Sequence, residues 1–326
     1  MVDGVLGESL LVVENTSVFY RSPTGLIKAL DDVSISVAPR EFIALVGESG
    51  CGKSTLGLSI LRLLPPNSEI RGNIYFRGVD LGRITNRELI NLRGTGIGMI
   101  FQEPLSSLDP MERIRDQFAQ TIQIYNKKSG MDKSKANNEE ILKWLRQVRI
   151  PDPERSLDRY PFQLSGGMAQ RVMIAMALSQ NPSILIADEP TSALDVTTQA
   201  QIIQLMKDLA SNTTIIFITH DLGVAAQVAE KVLVMYAGCI VEEGTAKQIF
   251  SNPLHPYTQA LLGCYPRSSK ATGKLKTING TVPNLASEFK GCKFADRCPY
   301  KKEPCVADNT PIVEVEMGHR VRCILY

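Results

Sequence analysis

The run Gly47-Glu48-Ser49-Gly50-Cys51-Gly52-Lys53-Ser54 constrains this chain more than any other feature. It satisfies the pattern G-x-x-x-x-G-K-[ST] directly after residues 41–46, a near-continuous apolar run of the kind that forms a strand covered on both faces. Glycines at such a turn let successive backbone N–H groups curl inward around phosphate oxygens, and a helix starting near Lys53 adds the positive end of its dipole. Lys53 is expected to reach the β- and γ-phosphates of a nucleotide. The Ser54 hydroxyl is expected to ligate Mg²⁺, with Thr55 beside it.

A second apolar run, residues 183–189, ends in Asp188 and Glu189. Acids at the carboxyl end of a buried parallel strand lie where open α/β sheets bind their ligands. Asp188 is expected to hold Mg²⁺, directly or through water, and Glu189 to polarise a water attacking the γ-phosphate. Further apolar runs at 214–218 and 232–235, with helices between, predict a parallel α/β core. Between them, residues 111–160 read as two helices. In the second, Ile141, Trp144, Leu145 and Val148 make an apolar stripe after the capping pair Asn137-Asn138, and Pro151-Asp152-Pro153 stops it.

Leu164-Ser165-Gly166-Gly167-Met168-Ala169-Gln170-Arg171, whose Ser165 stands 23 residues before Asp188, resembles the signature motif of ABC-transporter ATPases. Other elements of that family follow in order over about residues 10–250. Gln102 in Phe101-Gln102-Glu103-Pro104 resembles the Q-loop glutamine, a further Mg²⁺ or water contact. Asp195 in Ser192-Ala193-Leu194-Asp195 resembles the D-loop at the dimer contact, and His220 resembles the switch histidine. Tyr20, with Phe19 competing, resembles the aromatic that stacks on adenine. The resemblance implies that Ser165, Gly166, Gly167 and Gln170, at the start of a helix expected over 168–180, contact the γ-phosphate held by the phosphate loop of another subunit. Two ATPs would then be sandwiched between a head-to-tail pair of ATPases, either two copies or this chain and a sister ATPase.

Residues 101–110 and 252–262 are similar to the oligopeptide and dipeptide permease branch, a pattern that nickel permease ATPases share. The implied partners are two membrane permease subunits, docking at residues 103–118, and indirectly an extracytoplasmic substrate-binding protein. The expected placement is peripheral, on the cytoplasmic face of the cell membrane: the start of the sequence lacks a signal-peptide pattern, and no run of about 18 apolar residues is present. A soluble ABC ATPase acting on DNA or the ribosome is the alternative of another class. Such proteins usually carry long coiled coils or two cassettes, and neither is seen. The net charge of +2 likewise gives no sign of a nucleic-acid binder.

Four of the seven cysteines, Cys292, Cys298, Cys305 and Cys323, fall in the last 35 residues. In a reducing compartment such a cluster points to metal before disulfides. The setting Arg297-Cys298-Pro299, with His319-Arg320-Val321-Arg322-Cys323 downstream, resembles the carboxy-terminal extension of peptide-permease ATPases, some of which carry a [4Fe–4S] cluster. That cluster is the expectation, with Zn²⁺ and no metal as alternatives, and His319 is expected to be structural. The expected fold is thus a P-loop NTPase core of ABC type. Residues 1–110 and 165–265 form the two parts of its core, with an antiparallel β region. Residues 111–164 form a helical subdomain, and 266–326 a cysteine-rich extension that begins in a loosely ordered connection over 266–290. Because the ATPase motifs end well before Cys292, nucleotide binding is expected to be indifferent to that extension.

Overall fold

A computed structural model of the chain describes residues 9–23, 25–130, 137–192, 194–264, 277–287, 289–307 and 310–326. Residues 266–276 and Glu288 of the expected connection at 266–290, together with residues 1–8, Ala193 and Asp308, lie outside these. The chain divides into two compact units, Met1–Arg83 with Phe217–Tyr326, and Ile84–Ile216.

In the first unit, strands β1 (Leu11–Ser22), β2 (Gly25–Val37), β4 (Ser68–Phe76) and β5 (Val79–Asp80) form an antiparallel sheet in the order β2-β1-β4-β5. A second run of strands carries the phosphate-type turn. Strand β3 (Phe42–Val46) lies parallel to β9 (Lys231–Tyr236), with Ala44 opposite Val232. All five β3 residues are buried, as the unbroken apolar run predicts. Beyond β9 come β10 (Cys239–Thr245), β12 (His319–Val321) and β11 (Val313–Glu316), all antiparallel. The β9–β10 hairpin turns through Ala237 and Gly238, both in the left-handed region at φ 46° and 84°, the geometry of a two-residue turn matched to strand twist. The chain end is therefore woven into the sheet of the nucleotide loop. An aromatic cluster of Tyr236, Tyr257 and Phe294, with ring centroids 4.6–5.4 Å apart, packs beneath it.

The second unit holds helix α2 (Asn86–Thr95), the parallel strand pair β6 (Ile97–Ile100) and β7 (Ile184–Asp188), and the helices α3 (Ile114–Lys128), α4 (Asn138–Gln147), α5 (Pro153–Leu157), α6 (Gly166–Leu178) and α7 (Val196–Ala210). Asn137 caps α4 by accepting from the Glu139 N–H, and Ile141, Leu145 and Val148 are buried while Trp144 is half-buried. Pro153 does more than stop α4: it occupies the first turn of α5, where its missing N–H costs nothing. The chain returns to the first unit within β8 (Thr214–Thr219). Among the described residues no helix is long and apolar enough to cross a membrane.

Candidate active site

The loop after β3 opens helix α1 (Lys53–Ile60). Gly52 sits at φ 109°, and a Cβ there would lie 2.7 Å from the Ala29 carbonyl oxygen, so only glycine closes this turn. A Cβ on Gly47 would lie 2.2 Å from the Met235 carbonyl oxygen. The sequence pattern is thus dictated by how closely β9 and β2 approach the loop. No side chain caps the start of α1, which leaves its first-turn N–H groups for an anion. Lys53 is buried at 4% exposure, and its ammonium donates to the carbonyls of Gly47 (2.9 Å) and Glu48 (3.0 Å). Burial raises the pKa of the Cys51 thiol, whose carbonyl accepts from the Gly238 N–H at 2.8 Å, while Ser49 and Gly50 form the exposed tip. Ser54 and Thr55 are half-buried on the first turn of α1, and the Tyr20 hydroxyl lies 3.4 Å from the Thr55 hydroxyl. Strand alternation sends Phe19 to the opposite face, beneath Arg71 at 4.7 Å, so Tyr20 is the aromatic beside the loop.

In the second unit β7 delivers Asp188, buried, and Glu189, half-buried. Glu189 adopts φ 44°, a left-handed conformation that costs a non-glycine residue free energy and marks functional positions. The Gln102 amide nitrogen donates to the Glu189 carboxylate at 3.3 Å, which turns the amide oxygen of Gln102 away from that carboxylate.

Ser165 caps α6 by accepting from the Met168 N–H at 3.3 Å, so this helix begins two residues earlier than the pattern predicts, at Gly166. The two glycines differ. A Cβ on Gly167 would lie 2.7 Å from the Thr198 methyl, so this glycine serves the packing of α6 on α7, a reason the motif alone does not disclose. Among the described residues nothing lies within 4 Å of a Cβ on Gly166. Gln170 is 2% exposed and belongs to the packing of α6 rather than to its exposed end. Arg171 anchors the same helix through the Val148 carbonyl (2.7 Å) and Gln201. Asp195 caps α7, its carboxylate accepting from the N–H groups of Thr197 and Thr198 and from the Thr198 hydroxyl, which hold its pKa down. Val196 beside it is 81% exposed. His220, exposed, follows β8 and precedes helix α8 (Leu222–Val228), which Asp221 caps.

A family model described as ABC transporter matches residues 30–192, and one described as Oligopeptide/dipeptide transporter, C-terminal region, matches residues 241–305. The chain belongs to the ABC transporter family. Within that family it is 47% identical over 302 residues to the dipeptide transport ATP-binding protein DppD of Bacillus subtilis, covering 91% of this chain and 89% of the relative. A probable peptide ABC transporter ATP-binding protein of Sinorhizobium fredii is 44% identical over 319 residues, 96% of this chain and 94% of its own length. Among solved structures, a dimeric ATP-binding cassette in a post-hydrolysis state with ADP and phosphate is 30% identical. It superposes with a TM-score of 0.64, over 72% of this chain and 98% of that one. The mixed α/β sheets are those of the ABC ATPase fold, and the chain is an ABC transport ATPase.

The structure brings the four cysteines together without carrying the metal expectation. All four of Cys292, Cys298, Cys305 and Cys323 line one small apolar cavity. Yet among the described residues no group of three or more His, Cys, Asp or Glu side chains is placed to hold a metal ion, [4Fe–4S] and Zn²⁺ alike. Burial pushes the Cys292 thiol up to about 11 and raises those of Cys298 and Cys323. His319 is structural as expected: buried, it bonds Glu242 at 2.9 Å, and Glu242 also accepts from the N–H groups of Leu254 and His255.

Proposed function

We propose that this chain is the ATP-hydrolysing subunit of a membrane importer of di- or oligopeptides, working as one of a pair of ATPase subunits. The observation that carries the chemistry is the strained Glu189 at the end of β7, paired with Gln102. Glu189 takes the proton of the attacking water, Gln102 orients that water, and His220 contacts the γ-phosphate side after β8. Lys53 and the loop N–H groups from Gly47 to Thr55 hold the phosphates, with Tyr20 stacking on adenine. The hydroxyl of Ser54, the amide oxygen of Gln102 and the carboxylate of Asp188 are hard oxygen donors suited to Mg²⁺, which would neutralise phosphate charge. Gly166, with no neighbour among the described residues to explain its missing side chain, and the exposed Val196 support an α6 end and D-loop that face a second ATPase.

The peptide assignment is supported by the matched C-terminal region and by relatives named as peptide and dipeptide transport ATP-binding proteins. It is tested by purifying the tagged chain from membranes with its partners and assaying ATPase stimulation by peptides and by nickel. Stimulation by nickel and not by peptides would overturn it. Docking of the permeases at residues 103–118 is supported by exposed apolar side chains there, Leu105 at 45% and Met111 at 83%, on a loop that Gln117 clips through the N–H and carbonyl of Asp109 (both 2.9 Å). Met111→Glu is expected to abolish co-purification with the permeases while the isolated chain keeps its ATP affinity. Undiminished co-purification would refute the docking site.

A finer reading concerns the four cysteines. Four soft sulfur donors around one cavity are the donor set of Zn²⁺ or [4Fe–4S], and binding would require the thiols to deprotonate and draw together. Anaerobically purified protein is expected to contain about four irons per chain. Stoichiometric zinc would replace the cluster, and neither metal would leave four packing thiols.

A further inference from the structure

The phosphate loop is held from outside the ATPase motifs. Glu48, second residue of the loop, is clamped at both its backbone and its side chain. Its N–H donates to the Tyr257 hydroxyl at 3.0 Å, and its carboxylate receives a two-pronged contact from Arg297, NH1 to Oε2 at 3.0 Å and NH2 to Oε1 at 3.2 Å. Arg297 lies in the cysteine-rich extension, 249 positions away and next to Cys298. We propose that Arg297 is a positioning residue of the phosphate loop, acting through Glu48, so that the extension sets the affinity of the site for nucleotide.

The guanidinium is fully committed. Its Nε donates to the Asn279 carbonyl at 3.0 Å, NH1 also reaches the Tyr236 hydroxyl at 3.2 Å, and NH2 the Ile278 carbonyl at 3.5 Å. With all of an arginine's donors so used, none remains for a phosphate. Arg297 therefore acts on the loop, not on the nucleotide. Its side chain is 7% exposed and that of Glu48 21%, and the guanidinium lies against the rings of Tyr236 and Phe294 at 5.7 and 5.9 Å. A planar, half-enclosed pair of this kind fixes direction as well as distance. Tyr257 is fixed in turn: its own N–H donates to Nδ1 of His255, which burial holds neutral by lowering its pKa to about 3.

The consequence lies in the loop. The carbonyls of Gly47 and Glu48 are the two that receive the Lys53 ammonium, so the residue that Arg297 grips also places the lysine. At the far end the loop is pinned by the Gly238 N–H on the Cys51 carbonyl, while the glycine-rich tip between is open. Glycine-rich backbone is entropically costly to order, and a loop ordered beforehand spares that cost when phosphate binds. The indifference of nucleotide binding to the extension, expected from the motifs, is thereby replaced by a direct link.

The test rests on the ATP reading of the loop and separates the two. ATP affinity is measured by titration on the full chain for wild type, Arg297→Gln, Arg297→Lys, Glu48→Gln, the double variant Glu48→Gln/Arg297→Gln, and Lys53→Ala. A lost charged hydrogen-bond pair predicts a roughly tenfold weaker ATP Kd for Arg297→Gln and for Glu48→Gln. Arg297→Lys, which keeps the charge but loses the fork, is expected to fall between. The decisive readout is the double variant. If Arg297 acts through Glu48 it binds ATP no worse than either single variant, whereas separate structural damage would multiply the losses. Should Arg297→Gln loosen the extension, as limited proteolysis would reveal, Glu48→Gln still carries the test from the loop side. Unchanged ATP Kd in Glu48→Gln, or multiplicative losses in the double variant, overturn the proposal. Wild type that binds no ATP, or binds it as well after Lys53→Ala, would instead overturn the ATP reading beneath it.

Discussion

Glu189→Gln should reduce ATP turnover by about 10²- to 10⁴-fold, the usual contribution of a general base, while ATP still binds. The substitution preserves size and an oxygen that can accept from the Gln102 amide, now 3.3 Å from the carboxylate, so the strand end should keep its shape. What it removes is the capacity to take a proton. The strained backbone at φ 44° gives the prediction further content. A left-handed residue at the tip of a buried strand is tolerated where the surrounding structure requires it, and asparagine or glycine would relieve the strain. Glu189→Gly should therefore cost as much activity as Glu189→Gln and yet leave the fold as stable or more so. With binding retained and hydrolysis blocked, Glu189→Gln should also accumulate the ATP-bound pair of subunits, visible as a larger species in size-exclusion chromatography with ATP. A variant that retains more than about a tenth of wild-type turnover would contradict the base assignment.

How much of this was legible in the sequence follows from how local each signal is. The nucleotide loop, the apolar strand before it and the cap at Asn137 depend on neighbours within a few positions, and the structure places them as read, whereas the helix after Ser165 starts two residues earlier than expected. Tyr20 against Phe19 was undecided in the sequence and is separated by strand alternation once β1 is seen to run through both. Gly167 was legible as a motif member but not as a packing group, because Thr198, which explains it, lies 31 positions on, on the following helix. The hardest case is Arg297. A charge pair spanning 249 positions leaves no periodicity, spacing or cap behind, and only the folded chain brings the extension to Glu48. The cysteines show the converse. Their spacing is conspicuous and their shared cavity is real, yet spacing alone does not assemble a ligand set.

The second large effect separates the two halves of the shared site. Ser165→Arg should leave the ATP affinity of the isolated chain intact, since Lys53 and its loop belong to the first compact unit and Ser165 to the second. It should nonetheless lower turnover by about 10²-fold, the scale of losing one preorganised donor to a charged transition state. The arginine would fill the open space at the start of α6, where Gly166 has no neighbour of its own, and so block whatever approaches from outside. Lys53→Ala should fail earlier, at binding, because the phosphates lose their point charge. When this chain pairs with itself, mixing the two inactive variants produces a pair in which one site carries both defects and the other carries neither. Turnover should therefore reappear in the mixture, rising with total protein concentration as the pair forms. A mixture as inactive as its components would mean that the start of α6 does not act on the nucleotide of a second copy. Full activity of Ser165→Arg on its own would remove Ser165 from the mechanism.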